Sequence, residues 1–170
     1  MRGGIGIAAL AVLASAGCTQ SQTTKSSATR IAPDQVAALA SKGFALFTCE
    51  QLAEAAGDIP EKKRQDLFDR GRAAFASYID EAKASANDPA RDKAISQKVP
   101  MIVLMHLGGP TTDFMVGRIF EATTTSVEDE LYERSSWTHQ AIDPKATPPS
   151  AEMVKPHAAQ RYRERNCDLI

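Results

Sequence analysis

One stripe of apolar residues constrains this chain more than any other feature. Leu67, Phe68, Gly71, Ala74, Phe75, Tyr78, Ile79 and Ala82 recur at steps of three and four. On an extended strand they would scatter over both faces, whereas at 3.6 residues per turn they line one side of a helix. The opposite side carries Glu61, Lys62, Asp66, Arg70 and Glu81, with Asp66 and Arg70 at the i,i+4 spacing that suits an ion pair. Pro60 fits a first turn, and Asn87, Asp88 and Pro89 break the pattern, so the spacing predicts a helix from Pro60 to about Ser85. Such a helix is marginal alone and gains its stability by burying the stripe against other elements.

The neighbouring segments read as helices too. Pro33-Asp34 opens one through Ala40 that ends near Gly43, and Thr48 suits the cap of another from Cys49 to Ala56, stopped by Gly57. A short helix is expected over 89–97. Pro100 to Leu107 is an apolar run closed by Gly108-Gly109-Pro110. Its periodicity fits strand or helix, and with no partner strand in view a helix is expected. Thr112 suits the cap of the next helix, through Ala122. Phe114, Met115, Val116, Ile119 and Phe120 make it apolar on most sides and hence central. Gly117 in its middle costs about 1 kcal/mol relative to Ala, which points to close packing against another helix. Thr125 and Glu128 fit a capping box for a helix to about Arg134, with Val127, Leu131 and Tyr132 inward. Residues 140–150, with Pro144, Pro148 and Pro149, read as an extended connector. Residues 151–166 read as helical with a break near Pro156. The expected fold is all-α: a single small domain of about five to seven helices over 33–170.

The amino-terminal segment is of another kind. After Met1 and Arg2, the stretch Ile5 to Ala14 is wholly apolar apart from Gly6. It is too short for a hydrocarbon core, which needs about 20 residues, and suits the apolar part of a signal peptide. Small residues Ser15, Ala16 and Gly17 lead to Cys18. This LASAGC stretch resembles the lipobox of bacterial lipoproteins, a likeness confined to residues 1–18. The family prefers Leu three places before the cysteine, where Ser15 stands here; Leu13 is the nearest leucine. The resemblance implies a signal peptide over 1–17, cleavage between Gly17 and Cys18, a diacylglycerol thioether on Cys18 and acylation of the new amino terminus with a fatty acid such as palmitate. Each buried CH₂ contributes about 0.8 kcal/mol, so a single chain binds marginally, while the family's three make release negligible. Asp after the cysteine favours the inner membrane in Gram-negative members. Thr19 stands there, which implies an outer-membrane anchor facing the periplasm. Residues 18–32 then form the lipidated cysteine and a Ser-, Thr- and Gln-rich tether spanning about 20 Å as a random coil.

The chain holds 3 cysteines, an odd number that needs explaining in an exported protein. With Cys18 given to lipid, Cys49 and Cys167 allow one pairing, which an oxidising periplasm favours. Closing a loop of nearly the whole domain is worth roughly 5 kcal/mol in chain-entropy bookkeeping. No Cys-x-x-Cys motif is present, so the bridge reads as structural rather than redox-active.

The formal net charge of −1 supplies no basic field for nucleic acid. His106, His139 and His157 match no helical metal motif, and no metal or other cofactor is expected. His106, inside the apolar run, reads as a satisfied core histidine; His139 and His157, flanking the proline connector, read as solvated. No serine sits in G-x-S-x-G, and no free cysteine remains for a Cys–His nucleophile. Glu128, Asp129 and Glu130 read as a solvated helix start. Gly108 to Asp113 reads as a turn plus cap, with Asp113 already supplying the negative charge an anion would bring. Arg161 and Arg165, one turn apart, and the sole tryptophan, Trp137, are candidate interface residues. The expected function is non-enzymatic: a membrane-anchored cell-envelope lipoprotein presenting its domain to an envelope protein partner, as an accessory to an envelope or secretion assembly or as a structural component. Two alternatives are a periplasmic stress or chaperone-like protein, and an enzyme acting on cell wall or lipid. The latter needs a cleft that joins one histidine with two carboxylates.

Overall fold

A computed structural model describes residues 31–84, 87–136, 138–145 and 147–170. The expectations for Cys18, the signal peptide and residues 19–30 of the tether, and for Trp137, lie outside the described residues. Within them the fold is all-α, with helices α1 (Pro33–Ala56), α2 (Glu61–Ala84), α3 (Pro89–Lys98), α4 (Met101–Met105), α5 (Thr112–Leu131) and α6 (Ala151–Glu164). The only extended pairing among the described residues is an isolated antiparallel bridge between Arg134 and Ala141.

The α2 stripe is buried as its spacing predicts, with Leu67, Gly71, Ala74, Phe75, Tyr78 and Ile79 inside and an Asp66–Arg70 ion pair of 3.1 Å outside. Its main neighbour is α1, which also packs against α3, α5 and α6. Where the sequence predicts two helices parted near Gly43, α1 is one helix of 24 residues. Gly43 is a notch and not a stop: a Cβ there would lie 2.8 Å from Cδ2 of Phe75. The arrangement is reciprocal, because a Cβ on Gly71 of α2 would lie 2.6 Å from Cδ1 of Phe47 on α1. Each helix opens a gap for the other's ring. Thr48, expected as a cap, is buried in mid-helix. The helix stops at Gly57, whose φ of 76° lets its N–H close on the Ala53 carbonyl.

Helix α5 is also longer than its sequence suggests, running 20 residues. Thr111, not Thr112, caps it, its Oγ1 accepting from the Phe114 N–H at 3.1 Å. The capping box at Thr125 does not form. Instead the hydroxyls of Thr123, Thr124 and Thr125 donate to the carbonyls of Ile119, Phe120 and Glu121 at 2.8, 3.1 and 3.1 Å. Bonded back in this way, they stay in the helix they were expected to interrupt. Gly117 has nothing within 4 Å of where a Cβ would stand, so the close packing inferred there is absent. Phe114 is half-exposed, and only one side of α5 is buried, through Met115, Val116, Ile119, Thr123, Val127, Asp129 and Leu131. Helix α6 continues through Pro156. That proline and Glu152 both face outward, where water can serve the carbonyl that proline leaves without a donor.

Phe47 is the centre of an aromatic cluster, its ring 5.7, 5.2 and 5.0 Å from those of Phe68, Phe75 and Phe120. A second cluster gathers Leu46, Leu52, Leu67, Leu131 and Tyr162 around a Cys49–Cys167 disulfide. The bridge, with Cα atoms 5.5 Å apart, ties the middle of α1 to the segment after α6. This is the pairing expected with Cys18 given to lipid.

Candidate functional site

Two short elements turn one side of α5 into a groove. Helix α4 is held by Pro100 at its start and by the glycines after it. Its anchor is Val103, fully buried. Residues two before and two after a buried helical position lie about 200° from it, so burying Val103 turns Met101 and Met105 outward together. They are 67% and 60% exposed, one turn apart on one face. His106 caps α4, its Nδ1 2.7 Å from the Ile102 carbonyl. A carbonyl only accepts, so Nδ1 carries a proton, and in the neutral imidazole Nε2 is then the nitrogen with the lone pair. His106 is half-buried at the groove rim, not a core histidine as the apolar run suggested.

The second element follows α5. Glu133 and His139 both take positive φ, 54° and 55°, a conformation with a steric cost for residues other than glycine. Between them Ser135 N–H donates to the Gln140 carbonyl at 2.8 Å, and His139 N–H donates to the Ser135 carbonyl at 2.7 Å. This turn folds His139 back on α5 and sets its Nδ1 2.7 Å from Oδ2 of Asp129. The Asp129 side chain is only 4% exposed, while the imidazole remains 55% exposed. A carboxylate so buried needs a donor, and among the described residues His139 supplies one.

The acidic run therefore does not behave as one solvated patch at a helix start. It sits at the carboxyl end of α5, where the helix dipole disfavours negative charge. Only Glu128 faces water; Asp129 pairs with His139. Glu130 accepts from Arg161 and, at 2.8 Å, from Arg165. The two arginines read as candidate interface residues are thus joined to α5 through one carboxylate, with Arg161 also meeting Glu164 at 2.8 Å. Nor is His139 simply solvated. His157, half-buried on α6, is not among the groove residues. The Gly108–Asp113 segment is a turn and cap as read: Arg118 donates to the Gly108 carbonyl at 2.9 Å and Asp113 pairs with Arg72 at 3.1 Å.

The resulting groove has a volume of about 700 Å³. Met101, Ile102 and Met105 give it an apolar wall, while Ser126, Asp129 and His139 give a polar end, with Glu121 and Arg118 also lining it. Among the described residues no three His, Cys, Asp or Glu side chains stand close enough to share a metal ion. Chemically the groove can hold an apolar group against the methionines and offer hydrogen bonds or a proton acceptor at the imidazoles. Sequence reasoning missed the Asp129–His139 pair because it depends on a turn whose two left-handed positions are Glu and His, residues that do not announce one. Comparison of the chain with protein-family models, with curated proteins and with solved structures gives no match.

Proposed function

We propose that this chain is a membrane-anchored cell-envelope lipoprotein, held at the outer membrane by lipid on Cys18. Its helical domain serves a non-enzymatic interaction or structural role, as an accessory to an envelope or secretion assembly. The observation that carries the reading is the LASAGC stretch at 13–18, placed ahead of a polar spacer and a helical domain whose first helix starts at Pro33. No described helix is long and apolar enough to cross a membrane, so the reading assigns membrane attachment to the lipid. The groove beside α4, with its exposed methionines, supports an interaction role, because unbranched thioether side chains adapt to varied partner surfaces. The test is metabolic labelling with palmitate and membrane fractionation of the wild type and Cys18→Ala. The wild type is expected to take up label and sediment with the outer membrane, and the variant to take up none. Equal labelling of the two, or a wild type without label, rejects the anchor.

A second reading rests on the Asp129–His139 pair. A buried carboxylate at Nδ1 orients the His139 ring beside a groove that also holds Glu121, and one histidine with two carboxylates is the set that an enzyme acting on cell wall or lipid would need. Soluble fragments or fatty acid released from isolated envelopes by the wild type, and not by Asp129→Asn, would favour this reading over the first.

A further inference from the structure

We propose that the α4 wall of the groove binds a soft monovalent metal cation, Cu(I) or Ag(I), through the thioether sulfurs of Met101 and Met105 and Nε2 of His106. The inference goes beyond the lipoprotein reading and does not depend on the anchor.

Three features of α4 bring these ligands together. The burial of Val103 fixes the rotation of the helix, so Met101 and Met105 share one outward face a single turn apart, 67% and 60% exposed. His106 follows directly at the helix end and lines the same groove. Its Nδ1–H is committed to the Ile102 carbonyl at 2.7 Å. Metal-binding histidines characteristically hold one ring nitrogen in this way, which fixes the tautomer and orients the other nitrogen toward the ion. The methionine side chains have three rotatable bonds each and are largely exposed, so the sulfurs can close on an ion without disturbing the helix.

The ligand set decides the ion. Thioethers with one imidazole suit Cu(I)-like cations, which accept few, soft donors. Harder divalent ions need oxygen or several imidazole donors, and among the described residues no cluster of three His, Cys, Asp or Glu side chains exists to provide them. Arg118 also lines the groove, but its guanidinium is drawn to the Gly108 carbonyl, and Glu121 in the same groove offsets its charge.

Silver(I) is the suitable probe, because it needs no reductant and so leaves the Cys49–Cys167 bridge intact. Silver nitrate would be titrated calorimetrically, in chloride-free buffer, into the full chain purified in detergent. Every protein tested carries Cys18→Ala, which separates the result from the fate of Cys18. The expected result is one Ag(I) per chain, bound at least tenfold more weakly by Met101→Leu/Met105→Leu and by His106→Gln, with helical circular dichroism unchanged. Zn(II) at equal concentration should leave the silver in place. Should the double variant lose helicity, Met105→Leu alone gives the same reading. Absence of silver binding, unchanged affinity in either variant, or displacement by Zn(II) overturns the proposal.

Discussion

Where α1 meets α2, each helix gives up a side chain so that the other's phenylalanine can enter: Phe75 at Gly43 and Phe47 at Gly71. On α5, by contrast, the mid-helix glycine, Gly117, faces open space, and beside α5 the methionines of α4 are largely exposed. The sequence makes the two places look alike, since both offer a glycine within an apolar helix. The difference lies in what stands opposite. In the first, a full-length helix carries a matching stripe. On α5 nothing within 4 Å stands opposite Gly117, and α4, five residues long and pinned by Val103, leaves a groove along its neighbour. The first is a closed seam; beside α4 a groove is left that can take a ligand.

The sharpest way to break this contrast is at the centre of the seam. Phe47 is fully buried and touches three other phenylalanine rings. Phe47→Ala should cost about 3–5 kcal/mol, since a cavity is left as well as lost burial. The shift of the urea unfolding midpoint measures it. A loss under about 1 kcal/mol would mean that the seam relaxes as freely as the groove side.

Removing the bridge tests whether the seam depends on the disulfide. Cys49→Ala/Cys167→Ala should lower unfolding free energy by roughly 2–4 kcal/mol, mainly by freeing the unfolded chain. Far-ultraviolet circular dichroism at low temperature should stay helical, because α1 and α2 meet through their own side chains. Loss of helix at low temperature would show that the seam forms only when the bridge ties α1 to the segment after α6.

The smallest and most discriminating pair is Gly71→Ala against Gly117→Ala. Both gain the helix propensity of alanine, about 1 kcal/mol. At Gly71 the added methyl would stand 2.6 Å from the Phe47 ring and 3.3 Å from Cβ of Leu46, and overpacking typically costs 1–3 kcal/mol. A melting curve is expected to show Gly71→Ala neutral to destabilised by about 2 kcal/mol, and Gly117→Ala stabilised by up to about 1 kcal/mol. Opposite signs would erase the distinction between a notch and an open position.

Much of the fold was legible before the structure. The α2 boundaries followed from a stripe, the α4 helix from an apolar run without a partner strand, and the disulfide from compartment and counting. The errors in helix boundaries share one cause. Gly43, Thr48, Thr125 and Pro156 are local stop or cap signals, worth about 1 kcal/mol for most residue types and more for proline. Burial of a whole helical face outweighs them. Gly43 was overruled by the Phe75 ring that fills its notch, and Thr125 by a hydroxyl bonded four residues back. Gly117 failed in the opposite direction, because nothing local tells a glycine under a neighbour from one under water.

By itself the sequence determined the helical class, the main buried stripe and the Cys49–Cys167 pair, all properties of periodicity or counting. It also carries the lipobox-like segment on which the proposed anchor rests. Only the tertiary structure decided that Asp129 meets His139, that Glu130 receives Arg161 and Arg165, and that Met101, Met105 and His106 line one groove. Those arrangements depend on where a backbone turn with two left-handed residues lands and on which face of a short helix one valine buries. Neither quantity is encoded in a local pattern. Each is set by packing partners distant along the chain.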